Sequence, residues 1–262
     1  MLLPDDAMGP QANVLGVGIS AIDMLEAVRR CHGFIEERRK GYVCVTGVHG
    51  IMEAQRDAGF RTILNRASLC TPDGMPTVWV GRLQGHRRMR RVYGPDFMLE
   101  MCKASLERGY RHFLYGGKAG VAEKLQQRLQ VLVPGVEIVG TYAPPFRPLR
   151  RHEEDELVKL VAELGPDMIW VGLSTPKQER FMAAMIDRLD TRLMIGVGAA
   201  FDIHAGLVAD APSWMKISGL QWLYRMLKEP RRLARRYLTN NPQFLWQIVL
   251  QLSGIRKFEQ FT

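Results

Sequence analysis

The chain has 262 residues, 47% hydrophobic and 24% charged, an ordinary globular composition that is long enough to bury a real core. That excludes a disordered, collagenous or small disulfide-stapled chain, and no stretch reaches the roughly 18 uninterrupted apolar residues of a spanning helix. The net charge of +9 is unevenly placed: from Ala211 to Thr262 nine basic residues face only Glu229 and Glu259, a surplus of +7, so the first 210 residues hold the remaining +2.

The N-terminal MLLPDDAMGPQ carries two aspartates and no basic run, unlike a secretory signal. Residues 13–30 read as a strand, a turn at Gly18 to Ser20, and a helix opening near Ser20. GYVCVTGVHG predicts a strand over Tyr42 to Val45 with a Thr46-Gly47 corner, followed by a polar helix from Ile51 to Phe60. ASLCTPDGMPTVWV joins an apolar run to a Thr71-Pro72-Asp73-Gly74 turn. Basic GRLQGHRRMRRVYG reads as loop or helix start, and Pro95 to Arg108 has helical apolar spacing. HFLYGG, EIVGTYAPPF, DMIWVGLSTP and RLMIGVGAAFD then read as strands, with helical segments KAGVAEKLQQRLQVLVPG, HEEDELVKLVAELGP and KQERFMAAMIDRL between them. This alternation predicts an α/β fold, a parallel sheet covered by helices on both faces. A helical, arginine-rich tail follows Pro212, giving one α/β domain over 1–210 and an appendage over 211–262. Cys31, Cys44, Cys70 and Cys102 lack CxxC spacing and histidine partners, and read as reduced core thiols of a cytosolic chain.

In an open parallel sheet, ligands sit beyond the carboxyl ends of the strands. Four such ends carry glycine or small polar residues: Thr46-Gly47, Gly116-Gly117, Gly172-Leu173-Ser174-Thr175 and Gly196-Val197-Gly198. LYGGKAGVAE could cradle a phosphate on its glycines and the next helix N-terminus, or serve only tight strand–helix packing. It is neither a GxGxxG fingerprint nor a Walker loop. Asp73 reads either as a turn residue capping its own backbone or as a general base. For the second role its environment must raise an ordinary carboxyl pKa of about 3.9. Asp202 carries the same two readings, the structural one being to fix the adjoining glycine loop. The sequence has no Asp-x-Asp, and the six histidines lack ligand spacing, so no metal site is expected. His49, at a strand end, could touch a ligand.

The basic tail expects an anionic partner: ligand phosphates, nucleic acid or a lipid surface. WLYRMLKEPRRLARRYL reads as a helix pair broken at Pro230, and Arg232 and Arg235 share a face. Their guanidinium forks suit diphosphate oxygens, or form a solvated basic face; no nucleic-acid-binding motif accompanies them. PQFLWQIVLQL, apolar and Trp-bearing beside basic residues, reads as an interfacial membrane segment or as a contact between two copies of the chain. A non-enzymatic adaptor could use such a tail alone. A nicotinamide- or nucleotide-dependent oxidoreductase could use the glycine loops, but would want an acidic ribose-binding residue after the first strand, which is missing.

VGLSTPKQERFM, IGVGAAFDIHAG, APSWMKISGLQWLYRMLKEPRRLARRYL and the Thr-Pro-Asp-Gly turn together resemble the WecG/TagA/CpsF glycosyltransferases, from about Val14 to Leu238. The resemblance implies a Rossmann-like sheet of the GT-E type with a C-terminal appendage. It also implies inverting, metal-independent transfer from a UDP-sugar to a polyprenyl-diphosphate-linked sugar, with no cofactor, at the cytoplasmic membrane face. By that resemblance Asp73 is the catalytic base, Thr46 matches the threonine of the first active-site strand end, and Arg91 holds the donor diphosphate or sugar. Gln178 contacts the donor sugar, and Arg225, Arg232 and Arg235 close over the diphosphate. Gly116, Gly117, Gly198 and Asp202 fall in nucleotide-binding loops. The chain departs from the family's Thr-x-Asn at Val48, which points away from N-acetylmannosamine toward a different hexose.

Overall fold

The computed structural model describes residues 9–260. An N-terminal hairpin, β1 (Gln11–Val14) and β2 (Val17–Ser20), leads into α1 (Met24–Glu36) and β3 (Gly41–Thr46). Next come α2 (Val48–Arg56), α3 (Ala58–Asn65), β4 (Leu69–Pro72), α4 (Met75–Leu83) and α5 (Gly94–Ser105). The regular alternation follows: β5 (Arg111–Gly116), α6 (Val121–Leu132), β6 (Glu137–Tyr142), α7 (Arg151–Leu164), β7 (Met168–Gly172), α8 (Lys177–Met185), β8 (Leu193–Gly196) and α9 (Ala200–His204). The chain ends in α10 (Ser213–Ile217), α11 (Gln221–Lys228) and α12 (Pro230–Leu252).

Two compact units divide the chain. The first gathers the chain up to Met24, Val45–Tyr93 and the chain from Asp210; the second gathers Leu25–Cys44 and Gly94–Ala209. The large sheet has the strand order β4-β3-β8-β7-β5-β6, and the ladders joining β3, β8, β7, β5 and β6 are parallel. The register sets Val43 and Trp170 on either side of Ile195, and Leu114 beside Trp170. Phe113, Leu114, Ile169, Trp170, Val171, Met194 and Ile195 are all buried, the near-continuous apolar run that helices on both faces of a parallel sheet demand. The α/β expectation holds.

Two local expectations do not. Residues 13–30 form a hairpin before α1, because Leu15 and Gly16 both take positive φ (54° and 79°), as a two-residue turn between twisted strands requires. Leucine does not announce such a turn; tertiary contacts stabilise it, the Leu15 N–H donating to Gln251 of α12 at 3.0 Å. The helix expected from Ile51 to Phe60 is two helices, parted at Asp57, whose carboxylate caps α3 through the Phe60 N–H at 2.9 Å. The break expected at Pro230 is there, between α11 and α12, and α12 carries both basic and apolar residues through Pro242. The ring frees the carbonyl of Leu238, an exposed residue, so that group can meet water.

All four cysteines are buried and free, and burial pushes the Cys102 thiol up to about 12, the setting of an inert packing residue. The second unit also buries a histidine. Trp170 Nε1 donates to His112 Nδ1 at 2.9 Å, and burial lowers the His112 pKa to about 4. The unfolded chain therefore takes up this proton first as pH falls from about 6.5 toward 4, so stability is complete above that window and declines through it. At about 1.4 kcal/mol per pKa unit, the loss is on the order of 3 kcal/mol. Denaturant unfolding of wild type and His112→Gln between pH 4 and 7 checks this: the variant's stability should vary less with pH, and equal slopes would remove His112 as the cause.

Candidate active site

The first unit builds a site around Asp73. Thr46 ends β3 with its side chain buried; its hydroxyl accepts from Cys70 Sγ at 3.3 Å, and its carbonyl accepts from the Asp73 N–H at 3.0 Å. At Gly47 a Cβ would stand 2.5 Å from the Asp73 carbonyl oxygen, so only glycine lets the two strand ends approach this closely. The N-cap position of α4 belongs to Gly74, the residue after Asp73. The Asp73 carboxylate is about one-third exposed and lies 3.4 Å from Arg91 Nη2. That is well beyond the 2.7–2.9 Å of a tight charge-assisted bond. Arg91 is held more closely by a short contact to Gln221 Oε1; it also donates to the Lys216 carbonyl at 3.4 Å and lies over the Tyr93 ring at 4.2 Å. Its Nε is buried without a hydrogen-bond partner.

Asp210 ties these residues together. Its Oδ1 accepts from Tyr93 Oη at 2.7 Å, from the Ala211 N–H at 2.8 Å and from Gln221 Nε2 at 3.3 Å, while Oδ2 takes Lys216 Nζ at 2.9 Å. Burial pushes the Asp210 carboxyl up, but the bonds from Lys216, Tyr93 and Ala211 outweigh it, and the net shift is downward. Tyr93 is raised, by burial first and then by Asp210 and Asp73, with Arg225 opposing, so Arg225 belongs to the same electrostatic neighbourhood. Arg236 is lowered by burial and by the repulsion of Arg225 and Arg232, and its Nε has no partner.

The sequence-predicted residues of this unit therefore part company. Asp73, Thr46, Arg91 and Arg225 share the cluster, and Arg232 joins it through Arg236 while pairing with Glu229. Arg235 is exposed. His49 is engaged with α12 instead, its Nδ1 3.2 Å from Asn240 Nδ2, and Asn240 Oδ1 accepts from Arg56 at 2.7 Å. Sequence reading missed Tyr93, Asp210, Lys216, Gln221 and Arg236. Only Arg236 left a signal, its four-residue spacing from Arg232 on one helix. Tyr93 and Asp210 stand 117 residues apart.

The second unit gathers Gln178, Gly116, Gly117, Gly198 and Asp202 at the ends of β5, β7 and β8. A Cβ on Gly116 would lie 2.7 Å from the Gly172 backbone, so this glycine serves the close passage of β5 past β7. Gly117 donates to the Gly172 carbonyl at 3.1 Å, and the Asp202 carbonyl accepts from Leu207 and Val208, closing the loop after α9. Gly116 and Gly117 thus serve close strand packing, and the loop bonds of Asp202 are made by its backbone rather than its carboxylate. Gln178 differs, being only 3% exposed and lying against the end of β8, with Oε1 beside Gly198 and Nε2 beside Gly196. Its Nε2 donates to Glu179 Oε1 at 3.1 Å, and its own Oε1 has no partner. Among the described residues no group of three His, Cys, Asp or Glu side chains could hold a metal ion.

Residues 12–257 match the Glycosyl transferase WecG/TagA/CpsF family. The chain belongs to this family. It is 28% identical over 216 residues (82% of this chain, 80% of the relative) to an N-acetylglucosaminyldiphosphoundecaprenol N-acetyl-beta-D-mannosaminyltransferase of Bacillus subtilis strain 168. Proteins of the same name from Bacillus spizizenii and Staphylococcus aureus MRSA252 are 30% and 24% identical, covering 76% and 94% of this chain and 76% and 95% of those proteins. The chain is therefore a glycosyltransferase, and the oxidoreductase and adaptor readings fall away.

The Gly47 contact yields a test of the Asp73 geometry. Gly47→Ala forces the Asp73 backbone to give way, and if Asp73 acts in the transfer a displacement of about 1 Å costs on the order of a hundredfold in turnover. Overpacking costs about 1–3 kcal/mol. Thermal melting and glycosyl-transfer assays on the same preparation check this, with turnover lost well beyond the modest fall in stability.

Proposed function

We propose that this glycosyltransferase moves a hexose from a UDP-linked donor to a sugar carried on a polyprenyl diphosphate, with inversion and without a divalent cation, in the assembly of a cell-surface polysaccharide. The observation that carries the reading is Asp73, a partly exposed carboxylate loosely held by Arg91, in the unit that also gathers Arg225, Arg232 and Arg236. The relatives' names, which place a sugar diphosphate on undecaprenol as acceptor, support the lipid-linked substrate.

In this reading Asp73 takes the proton of the acceptor hydroxyl as its oxygen attacks the anomeric carbon. The bond from that carbon to the UDP oxygen breaks, and the electron pair leaves with the diphosphate. Arg91 and the arginines of α11 and α12 meet the charge that develops there, fixed donors that need little reorganisation. As the diphosphate draws Arg91, its hold on Asp73 loosens and the carboxylate becomes a better base. By the family resemblance Gln178 contacts the donor sugar. Val48, where the family carries an amide, favours a hexose without an acetamido group.

The appendage, residues 211–262, serves as the membrane-seeking part. Leu245, Trp246 and Val249 on α12 are 63%, 64% and 58% exposed, and Arg256 and Lys257 follow. No helix of the described residues is long and apolar enough to cross a membrane. An apolar, Trp-bearing helix face with basic flanks suits a peripheral seat on an anionic leaflet, where each basic residue contributes about 1 kcal/mol. A second copy of the chain is the competing occupant.

Calorimetric titration of UDP in EDTA, with NAD and ATP as controls, is the first test. UDP should bind without metal, and Arg232→Ala should weaken it about tenfold, or ~1.4 kcal/mol. Asp73→Asn should bind UDP normally while transfer falls by about 10²–10⁴. UDP-glucose and UDP-N-acetylmannosamine, compared as donors, decide the sugar. Absence of UDP binding both alone and with anionic vesicles would overturn the reading.

A further inference from the structure

Two adjacent residues of the second unit carry buried polar atoms that nothing in the protein satisfies: Gln178 Oε1 and Glu179 Oε2. Both side chains are essentially out of water, at 3% and 1% exposure. An unpaired buried acceptor costs about 1–3 kcal/mol, so such a pair calls for a reason. The surrounding bonds supply one. Glu179 Oε1 accepts from Thr175 Oγ1 at 2.7 Å and from Gln178 Nε2 at 3.1 Å. A carboxyl oxygen accepting at that point permits only one orientation of the Gln178 amide: nitrogen toward Glu179, carbonyl oxygen away from it. That oxygen then lies beside Gly198, where a Cβ would stand 3.4 Å from it, at the carboxyl end of β8.

We propose that Glu179 is a positioning residue that fixes the Gln178 amide so that its carbonyl oxygen reads a hydrogen-bond donor, a hydroxyl or an amide N–H, on the donor sugar. The inference rests on the reading of Gln178 as the sugar contact and adds the residue that decides which end of its amide the sugar meets. Burial raises the Glu179 pKa, against the opposing bonds from Thr175 and Gln178. A free glutamine amide presents N–H and C=O equally well. A locked one rejects a sugar position that can only accept, because two acceptors would then face each other in a dry site.

The test separates the sugar from the nucleotide. Binding of UDP, UDP-glucose and UDP-N-acetylmannosamine is measured calorimetrically for wild type, Glu179→Met, Glu179→Gln, Gln178→Met and the double Met variant. Glu179→Met removes the acceptor at similar volume; it should leave UDP affinity unchanged and weaken the preferred UDP-sugar about tenfold. Glu179→Gln, whose amide oxygen can take the same two bonds, should restore most of that loss. In the Gln178→Met background, Glu179→Met should cost nothing further, the non-additivity expected of a residue that acts through its neighbour. Should Glu179→Met fail to fold, Thr175→Val carries the test, with an expected loss of about threefold for the UDP-sugar alone. Equal losses for UDP and UDP-sugar, or a Glu179→Met cost undiminished beside Gln178→Met, would overturn the positioning role. A Gln178→Met protein that binds the UDP-sugar like wild type would instead overturn the sugar-contact reading, and this inference with it.

Discussion

Asp210 takes hydrogen bonds from Tyr93, Ala211, Lys216 and Gln221, and through them it sets the geometry around Asp73. Gln221 holds the Arg91 guanidinium, and Tyr93 lies between two cations, Arg91 at 4.2 Å and Lys216 at 5.3 Å from its ring. A neutral phenol is what both cations need, and burial keeps Tyr93 in that form. The hub is a charge, and its net downward shift means that it stays ionised into acid. Removing it would take the acceptor from a buried phenol and from a half-buried lysine, a larger penalty than the loss of one bond. Because Asp210 stands near the start of the C-terminal segment, one carboxylate holds both that start and, through Gln221, the Arg91 beside Asp73.

The second unit solves a different problem, how to end buried strands without leaving polar backbone stranded. Strands β5 and β7 pass so closely that Gly116 has no room for a Cβ, and the Gly117 N–H finds the Gly172 carbonyl. Apolar side chains fill the rest, with Tyr115 stacked on Phe181 at 4.2 Å. Against that packing, Gln178 and Glu179 are conspicuous as polar groups brought in rather than left out. Two glycines at a strand end say little about ligands; a buried amide with a free oxygen says more.

The alternation of strands and helices from Arg111 onward was legible because each element is long, periodic and punctuated by glycine or proline. The helix stop at Gly165 and the acidic first turn of α7 are signals a single element carries by itself. What escaped was set by partners far along the chain. The turn at Leu15–Gly16 depends on Gln251, and the break at Asp57 depends on a side-chain cap inside an otherwise helical run. The site divides in the same way. Asp73 and Gln178 sit in recognisable motifs, whereas Asp210 and Gln221 have no motif and matter only through where the fold carries them. Arg235 and Arg236 show the limit at its finest: adjacent residues of the same type, distinguished only by which face of α12 is covered.

That helix also explains why the excess positive charge need not be spread over the surface. One side of α12 is fixed to the first unit by Phe244, Ile248 and Asn240, the last bonded to His49 and Arg56. The opposite side is left with Leu245, Trp246, Val249 and Leu252. Arg232 and Arg236 lie toward its start and Trp246 ten residues beyond Arg236, about 15 Å at the helical rise. Anion-binding and apolar features on one continuous helix cannot be moved independently. A surface that seats the apolar face also fixes where the arginines stand, and the buried anchor at Asn240 passes that placement to α2 and the strand end that carries Thr46. Pro242 lies between the two features without breaking the helix, because the carbonyl it frees belongs to exposed Leu238. The arginines and the exposed apolar face are thus carried by one continuous helix, the arrangement on which the proposal of an acceptor with a lipid tail and a diphosphate head draws.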